Sequence, residues 1–415
     1  MLAVNNQEIL NLPFVRETIQ LAKETVVAAY HQDIGIASSA SDGIFGNTTW
    51  TRDLALVSLI SNSFPKELAA TIETLVHHQD ENGVLPIRVQ RIDVFWSYVL
   101  GFLHLEKCLK KTDISPWYEH SRRAVPARDT VYCLIISYFN LYQSGVINWE
   151  FAERIIPCLV EALKTEEKYV DPIDQLVVSR PCSDWGDCLK RKGKLVSINL
   201  LRYQAIQIMA RLVRRDKALS IQYSNQARKV LSSCYETFWD DSRGYFTVSA
   251  EDRRLDTLTN ILACLWLKNW DQCVRIQNSL ESEIRDQVSG LLKCYSKPYA
   301  WHEISLVRTA GMIGYGNTFF YPLLSDLNVL AQIRIASYHP DPLVRRNFTQ
   351  RAQARFINQT TIHFDLGTFH EVLKSPNKPA QHPFFPRQFK SHSDFTPSAA
   401  TYLAAAFALE NLQAP

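Results

Sequence analysis

The residues best equipped for chemistry lie between Ser183 and Gly193, in the stretch SDWGDCLKRKG. Two carboxylates, Asp184 and Asp187, flank Trp185, and the cations Lys190, Arg191 and Lys192 follow before the glycine. An indole face can stack on a pyranose ring. A carboxyl in an apolar setting keeps its proton to higher pH and can then donate it. Two acids beside an aromatic, just ahead of a helix, therefore suit a sugar-binding mouth. The plainer reading of the same stretch is a solvated loop anchored by a buried Trp.

Similar polar-aromatic clusters recur where loops meet predicted helices. In NTTWTRDLAL, Trp50, Arg52 and Asp53 can clamp sugar hydroxyls by charge-assisted hydrogen bonds, or serve as a cap with a surface Arg. Asp93 and Trp96 open a helix after a turn marked by Asn82 and Gly83, as site residues or as a cap and a core Trp. Arg128 and Asp129 read better as a helix cap. Asp256 and Asn260 stand one helical turn apart on one face. PYAWHEISL offers Tyr299, Trp301, His302 and Glu303, and GYGNTFFYPLL offers Tyr315 and Asn317. His370 and Glu371 lie among turn formers. Neither His-Glu pair has the spacing of a zinc helix, so no metal and no cofactor is expected. No G-x-S-x-G elbow and no glycine-rich phosphate loop is present.

The elements that must hold these clusters are helices. The periodicity predicts helices over 8–31, 53–62, 66–79, 93–110, 129–143, 149–164, 196–214, 217–238, 256–268, 270–282, 303–312, 321–337, 341–354 and 396–411. Strand signals are few, at FTVSA (246–250) and TTIHFD (360–365). So many helices without strand-helix alternation predict an all-α chain. No Pro-, Gly- or Ser-rich linker divides it, so residues 1–415 are expected to form one domain. Clusters that recur before successive helices fit a toroid of helical hairpins with one shared rim.

Composition narrows the function classes. A formal charge of +3 over 415 residues gives no electrostatic case for nucleic acid or an anionic membrane. No run of apolar residues is long enough to span a bilayer. MLAVNNQEILNLPF has no basic region followed by an apolar core, so no secretion signal is expected. Nine cysteines are scattered singly without C-x-x-C pairs, which suits a reducing cytoplasm. A homo-oligomer is compatible with all of this.

These motifs, in this order, resemble the six-hairpin, (α/α)6-barrel glycosidases, nearest the amylo-α-1,6-glucosidase domain of glycogen debranching enzymes. The family's W-x-R-D is similar to Trp50, Arg52 and Asp53. Its turn followed by D-x-x-x-W is similar to GVLPIRVQRIDVFW, ending in Asp93 and Trp96. Its W-M-D and the E-x-N-A-L-W-Y helix behind it resemble Trp185-Gly186-Asp187 with Asn199, Leu200 and Tyr203. DTLTNILA with Asn260 and the late Glu371 ahead of SDFTPSAATYL complete the series, over roughly residues 45–411. Departures are Ile198 where the family has Glu, Phe395 and Pro397 where Trp and Ser are common, and GYGNTFFYP for a longer motif. The resemblance lacks the family's N-terminal β-domain, which points to a small soluble carbohydrate as substrate.

The resemblance implies an inverting glycosidase. Asp187 would be the general acid and Glu371 the general base, with Glu303 as the second candidate base. Trp50, Arg52, Asp53, Asp93 and Trp96 would hold the terminal sugar, joined by Asp184, Trp185, Asn260, Trp301, His302, Tyr315 and Asn317. The implied linkage is an α-glucosidic bond. A neutral invertase-type sucrose hydrolase is the nearest variant. The rival readings are a toroid that binds carbohydrate without catalysis, and a lyase or epimerase in which His302 would matter more.

Overall fold

The computed structural model describes residues 5–41, 44–93, 96, 112–121, 127–305, 314–381 and 390–412. Among the described residues, twelve helices of seven residues or more carry the architecture: α1 (Pro13–Ala28), α2 (Thr51–Val57), α3 (Pro65–His77), α4 (Thr130–Gln143), α5 (Trp149–Glu166), α6 (Val196–Leu212), α7 (Lys217–Phe238), α8 (Thr257–Trp266), α9 (Trp270–Ser279), α10 (Pro322–Tyr338), α11 (Pro342–Leu366) and α12 (Thr396–Glu410). Their starts are written in the sequence. Pro13, Pro65, Pro322 and Pro342 occupy first positions, where the missing N–H costs nothing. Asn148, Asp216, Asp256, Asn269 and Asp341 accept from the backbone as N-caps.

Six helices form a closed inner ring. α2 packs on α4, α4 on α6, α6 on α8, α8 on α10, α10 on α12, and α12 back on α2. The outer helices lie against them: α3 and α5 on α4, α7 on α6, α9 on α8, α11 on α10 and α1 on α12. One buried apolar cluster runs through both layers from Ile9 to Leu412. The ring is sewn shut by hydrogen bonds between distant parts of the chain. Thr396 N donates to Ser38 O (3.0 Å), Ala40 N donates to Asp394 O (2.9 Å), and Ser39 Oγ donates to Ser393 O (2.9 Å).

Short antiparallel ribbons decorate the end where the inner helices begin. Strands β1 (Thr48–Trp50), β2 (Arg88–Gln90) and β3 (Ser115–Trp117) pair so that Trp50 faces Arg88 and Arg88 faces Trp117. Two-residue ribbons precede α6 and α8, as 178–179 with 193–194 and 239–240 with 245–246. The first two residues of the expected strand 246–250 fall beside or within the second ribbon. The other expected strand, TTIHFD, is the end of α11. Its β-branched run is overridden because Thr360 donates to Phe356 O one turn back and His363 packs against buried Asp326, contacts that only a helix supplies. The predicted helices at 93–110 and 303–312 lie mostly outside the described residues. Among the described residues, no helix is long and apolar enough to cross a membrane.

Candidate active site

All six inner helices line one cavity of about 220 Å³, five of them with residues at or beside their N-terminal ends. Helix N-termini carry partial positive charge, which suits the four carboxylates in the wall: Asp53, Asp129, Asp187 and Glu371. Trp50, Arg52, Trp185, Tyr315 and Phe395 line the same space.

Trp50 ends β1 and Arg52 and Asp53 open α2. The Arg88 guanidinium lies between two indoles, 4.6 Å from the Trp50 ring and 4.7 Å from the Trp117 ring, which fixes the tilt of Trp50. Arg52 makes a bidentate pair with Asp129, Nε to Oδ2 at 2.5 Å and Nη2 to Oδ1 at 3.0 Å. Its third nitrogen, Nη1, stands 3.8 Å from Asp187 Oδ2. Burial opposes the charge of Arg52, but Asp129 and Asp187 outweigh it and hold the guanidinium protonated. Burial raises the Asp129 carboxyl, and Arg52 pulls it part of the way back. Asp129 occupies the N-cap position of α4, as the sequence suggested, yet its side chain makes no cap bond and turns to Arg52 instead. Asp53 is pushed up to about 6, chiefly by burial and further by Asp187 and Asp129, against the pull of the Ser38 hydroxyl and Arg52.

The Ser183–Gly193 loop divides its two acids. Asp187 faces the cavity. Asp184 points away from it and is fully buried, bonded by Arg191 Nη2 and by Ser197 Oγ at 2.7 Å. Arg191 is itself buried and donates through Nη1 to Asp256 at 3.0 Å, while Trp185 Nε1 donates to the same Asp256 oxygen at 3.0 Å. Asp184, Arg191 and Asp256 thus form a buried knot behind Trp185. Gly186 is what lets the knot close, since a Cβ there would lie 2.5 Å from Arg191 Nη2 and 2.7 Å from the Tyr295 hydroxyl.

Glu371, which lines the same cavity, is buried, accepts from the Tyr315 hydroxyl and is fixed by its own backbone, which donates to His392 O at 3.0 Å. Tyr315 precedes Gly316, whose φ of +62 and 2.4 Å virtual Cβ approach to Cys188 Sγ leave room for glycine alone. That contact ties the Tyr315 turn to the residue after Asp187.

No family model matches the sequence, and no curated protein matches it. Solved structures do. A rhamnosidase from Klebsiella oxytoca with rhamnose bound superposes with a TM-score of 0.62 at 14% identity, over 95% of this chain and 63% of its own, so the chain spans less than two thirds of that protein. A wild-type glycosidase superposes at 0.64 with 14% identity, over 99% of this chain and 100% of its own. The GH63 mannosylglycerate hydrolase from Thermus thermophilus, in complex with glucose, gives 0.56 at 12% identity, over 93% and 99%. With the closed inner ring, this decides the architecture. The chain is a six-hairpin (α/α)6 barrel.

The six-hairpin barrel brings Trp50, Arg52, Asp53, Trp185, Asp187, Tyr315 and Glu371 together in one wall. Other sequence candidates sit elsewhere. Asn260 accepts from Phe246 N (2.9 Å) and donates to Phe246 O (2.8 Å), and Asn317 does the same to Tyr299 at 2.7 and 3.0 Å. Asn199 grips Val177 likewise, so these amides clamp the rim ribbons and loops to the barrel. Asp93 is exposed and accepts from the Trp96 backbone at 3.0 Å, while Trp96 is 55% exposed. Trp301 is 74% exposed. His302 and Glu303 line a separate groove with Lys190 and Lys192, and Glu303 pairs with Arg254 at 3.4 Å. Of the two candidate bases, Glu371 is the one that shares a cavity with Asp187. Sequence reasoning missed Asp129 as the anchor of Arg52, and Tyr321, Gln204 and Trp266 as cavity residues. Among the described residues, no group of three or more His, Cys, Asp or Glu could hold a metal ion.

Proposed function

We propose that the protein is a glycoside hydrolase that cleaves an α-glucosidic bond in a small soluble glucoside or oligosaccharide with inversion at the anomeric carbon. The observation that carries this reading is the presence of Asp187 and Glu371 in one cavity beside Trp50, Arg52 and Trp185. The recurrence of the fold among glycosidases supports it.

In the proposed reaction, Asp187 gives its proton to the leaving oxygen as the glycosidic C–O bond breaks. A water attacks the opposite face and passes its proton to Glu371, so sugar and alcohol are released together. Inversion calls for carboxyls roughly 6.5–9.5 Å apart, leaving room for that water. Tyr315 orients Glu371, and Arg52, fixed by Asp129, offers charge-assisted hydrogen bonds to the sugar. One observation favours a second assignment: Asp53, held near 6, is a cavity carboxyl poised to donate a proton. In that case Asp187 would bind the sugar.

The test is proton NMR of small glucosides and sucrose with the protein, following which anomer appears before mutarotation. First appearance of the inverted anomer supports the proposal. The retained anomer rules out inversion, and sugar binding without turnover across the panel favours a carbohydrate-binding toroid.

A further inference from the structure

The cavity is divided by chemistry along the barrel axis. Every charged side chain in its wall lies at or before the first turn of an inner helix. Deeper, the wall is made by Leu59, Ile136, Leu201, Leu262, Leu265 and Leu327. Leu265 is eight residues past the start of α8, and Leu59 is as far past the start of α2. At 1.5 Å rise per residue, the apolar shaft reaches about 12 Å below the rim. Leu262 and Leu265 are only half-buried although they face the middle of the ring. Protein interiors normally fill such a space with side chains, and an open apolar wall gains free energy from an apolar guest.

A second sugar unit is a poor guest for this shaft. Its hydroxyls would leave water and meet, among the described residues, only Gln204, Asn140 and the Trp266 indole N–H at that depth, and Asn140 Nδ2 already donates to Ser58 Oγ at 2.9 Å. An alkyl or aryl group loses nothing by entering.

We propose that the shaft takes the apolar aglycone of an amphiphilic glycoside, the sugar resting among Trp50, Arg52, Asp187 and Glu371 at the rim. This rests on the hydrolase reading. The continuity of the shaft with the polar rim selects this guest, because one molecule with a sugar head and an apolar tail satisfies both halves. The reaction then consumes water and yields the free sugar and an apolar alcohol, the proton from Asp187 ending on the alcohol oxygen.

The experiment measures binding and hydrolysis of methyl, butyl and hexyl glucosides, all below micelle formation, with butanol and hexanol as sugar-free probes. Affinity should tighten by about fourfold per added methylene. Leu262→Phe and Ile136→Phe fill the shaft from different helices and should each flatten that dependence, so one of them suffices if the other does not fold. Equal affinity along the series, with hydrolysis of any member, overturns the shaft proposal and leaves the hydrolase reading standing. Chain-dependent binding of glucosides and alkanols that the filled variants lose, with no hydrolysis, keeps the apolar site and overturns the hydrolase reading. Chain dependence that survives in both filled variants places the apolar site elsewhere and overturns the proposal.

Discussion

Asp53→Asn should make the protein more stable at neutral pH while impairing its site. Asp53 titrates at about 6 in the fold, against its ordinary 3.8. The folded chain therefore binds this proton more tightly than the unfolded chain. Stability contributed by the protonated form is present at low pH and is lost as the pH rises from 3.8 through 6. One pKa unit is worth about 1.4 kcal/mol, so ionised Asp53 costs the fold at most about 3 kcal/mol above pH 6. Contact with cavity water makes this an upper bound. Unfolding entropy near 2.1 cal/mol/K per residue gives roughly 0.9 kcal/mol/K for 415 residues. The melting temperature of Asp53→Asn, relative to wild type, should thus rise by up to about 3 °C between about pH 4 and pH 7.5. Lost hydrogen bonds shift both ends equally, so the pH dependence of the difference is the diagnostic quantity. Scanning calorimetry at several pH values reads it directly. A difference that stays flat, or falls with rising pH, would refute the reasoning by showing that the fold does not favour the protonated carboxyl.

Other expectations are separable from this one. Asp187→Asn and Glu371→Gln should each lower kcat by about two orders of magnitude or more with unchanged circular dichroism, while Glu303→Gln stays near wild type; loss of activity in Glu303→Gln alone would exchange the bases. Asp129→Asn strands the Arg52 charge and should cost up to about 3–5 kcal/mol, less here because Arg52 touches the cavity and keeps Asp187 nearby. Its kcat/KM should fall while Asp129→Glu restores part of it, and wild-type kinetics in Asp129→Asn would remove Asp129 from any positioning role. Gly186→Ala should expel Arg191 from its knot and lower the melting temperature by several degrees; an unchanged melting curve would mean that the loop adapts freely.

The helices and the position of the rim were legible because caps, prolines and apolar periodicity are local signals. Trp50, Arg52, Asp53, Asp187 and Glu371 share one cavity because each precedes or opens an inner helix, a placement the sequence could suggest. The same logic misplaced Asp184, since nothing in SDWGDCLKRKG reveals that Arg191 folds back to bury it. Asp129 carried the sequence signature of a cap, and its pairing with Arg52 depends on the contact between α2 and α4. Asn260 and Asn317 looked like sugar ligands because a buried amide reads alike whether it grips a ligand or a neighbouring backbone. The apolar shaft left no trace, because leucines at helical spacing look the same facing a filled core or a hollow one.

The bonds joining 38–40 to 393–396 make α12 a keystone. Ser39 and Ser393 are 354 positions apart, so closing the arch joins the two most distant parts of the ring. Glu371 and Phe395, which share the cavity with Asp187, belong to the segment this seam holds in place. Loosening this seam would part the cavity sideways with every side chain in its wall intact, so the proposed hydrolysis depends on the seam as much as on the residues themselves.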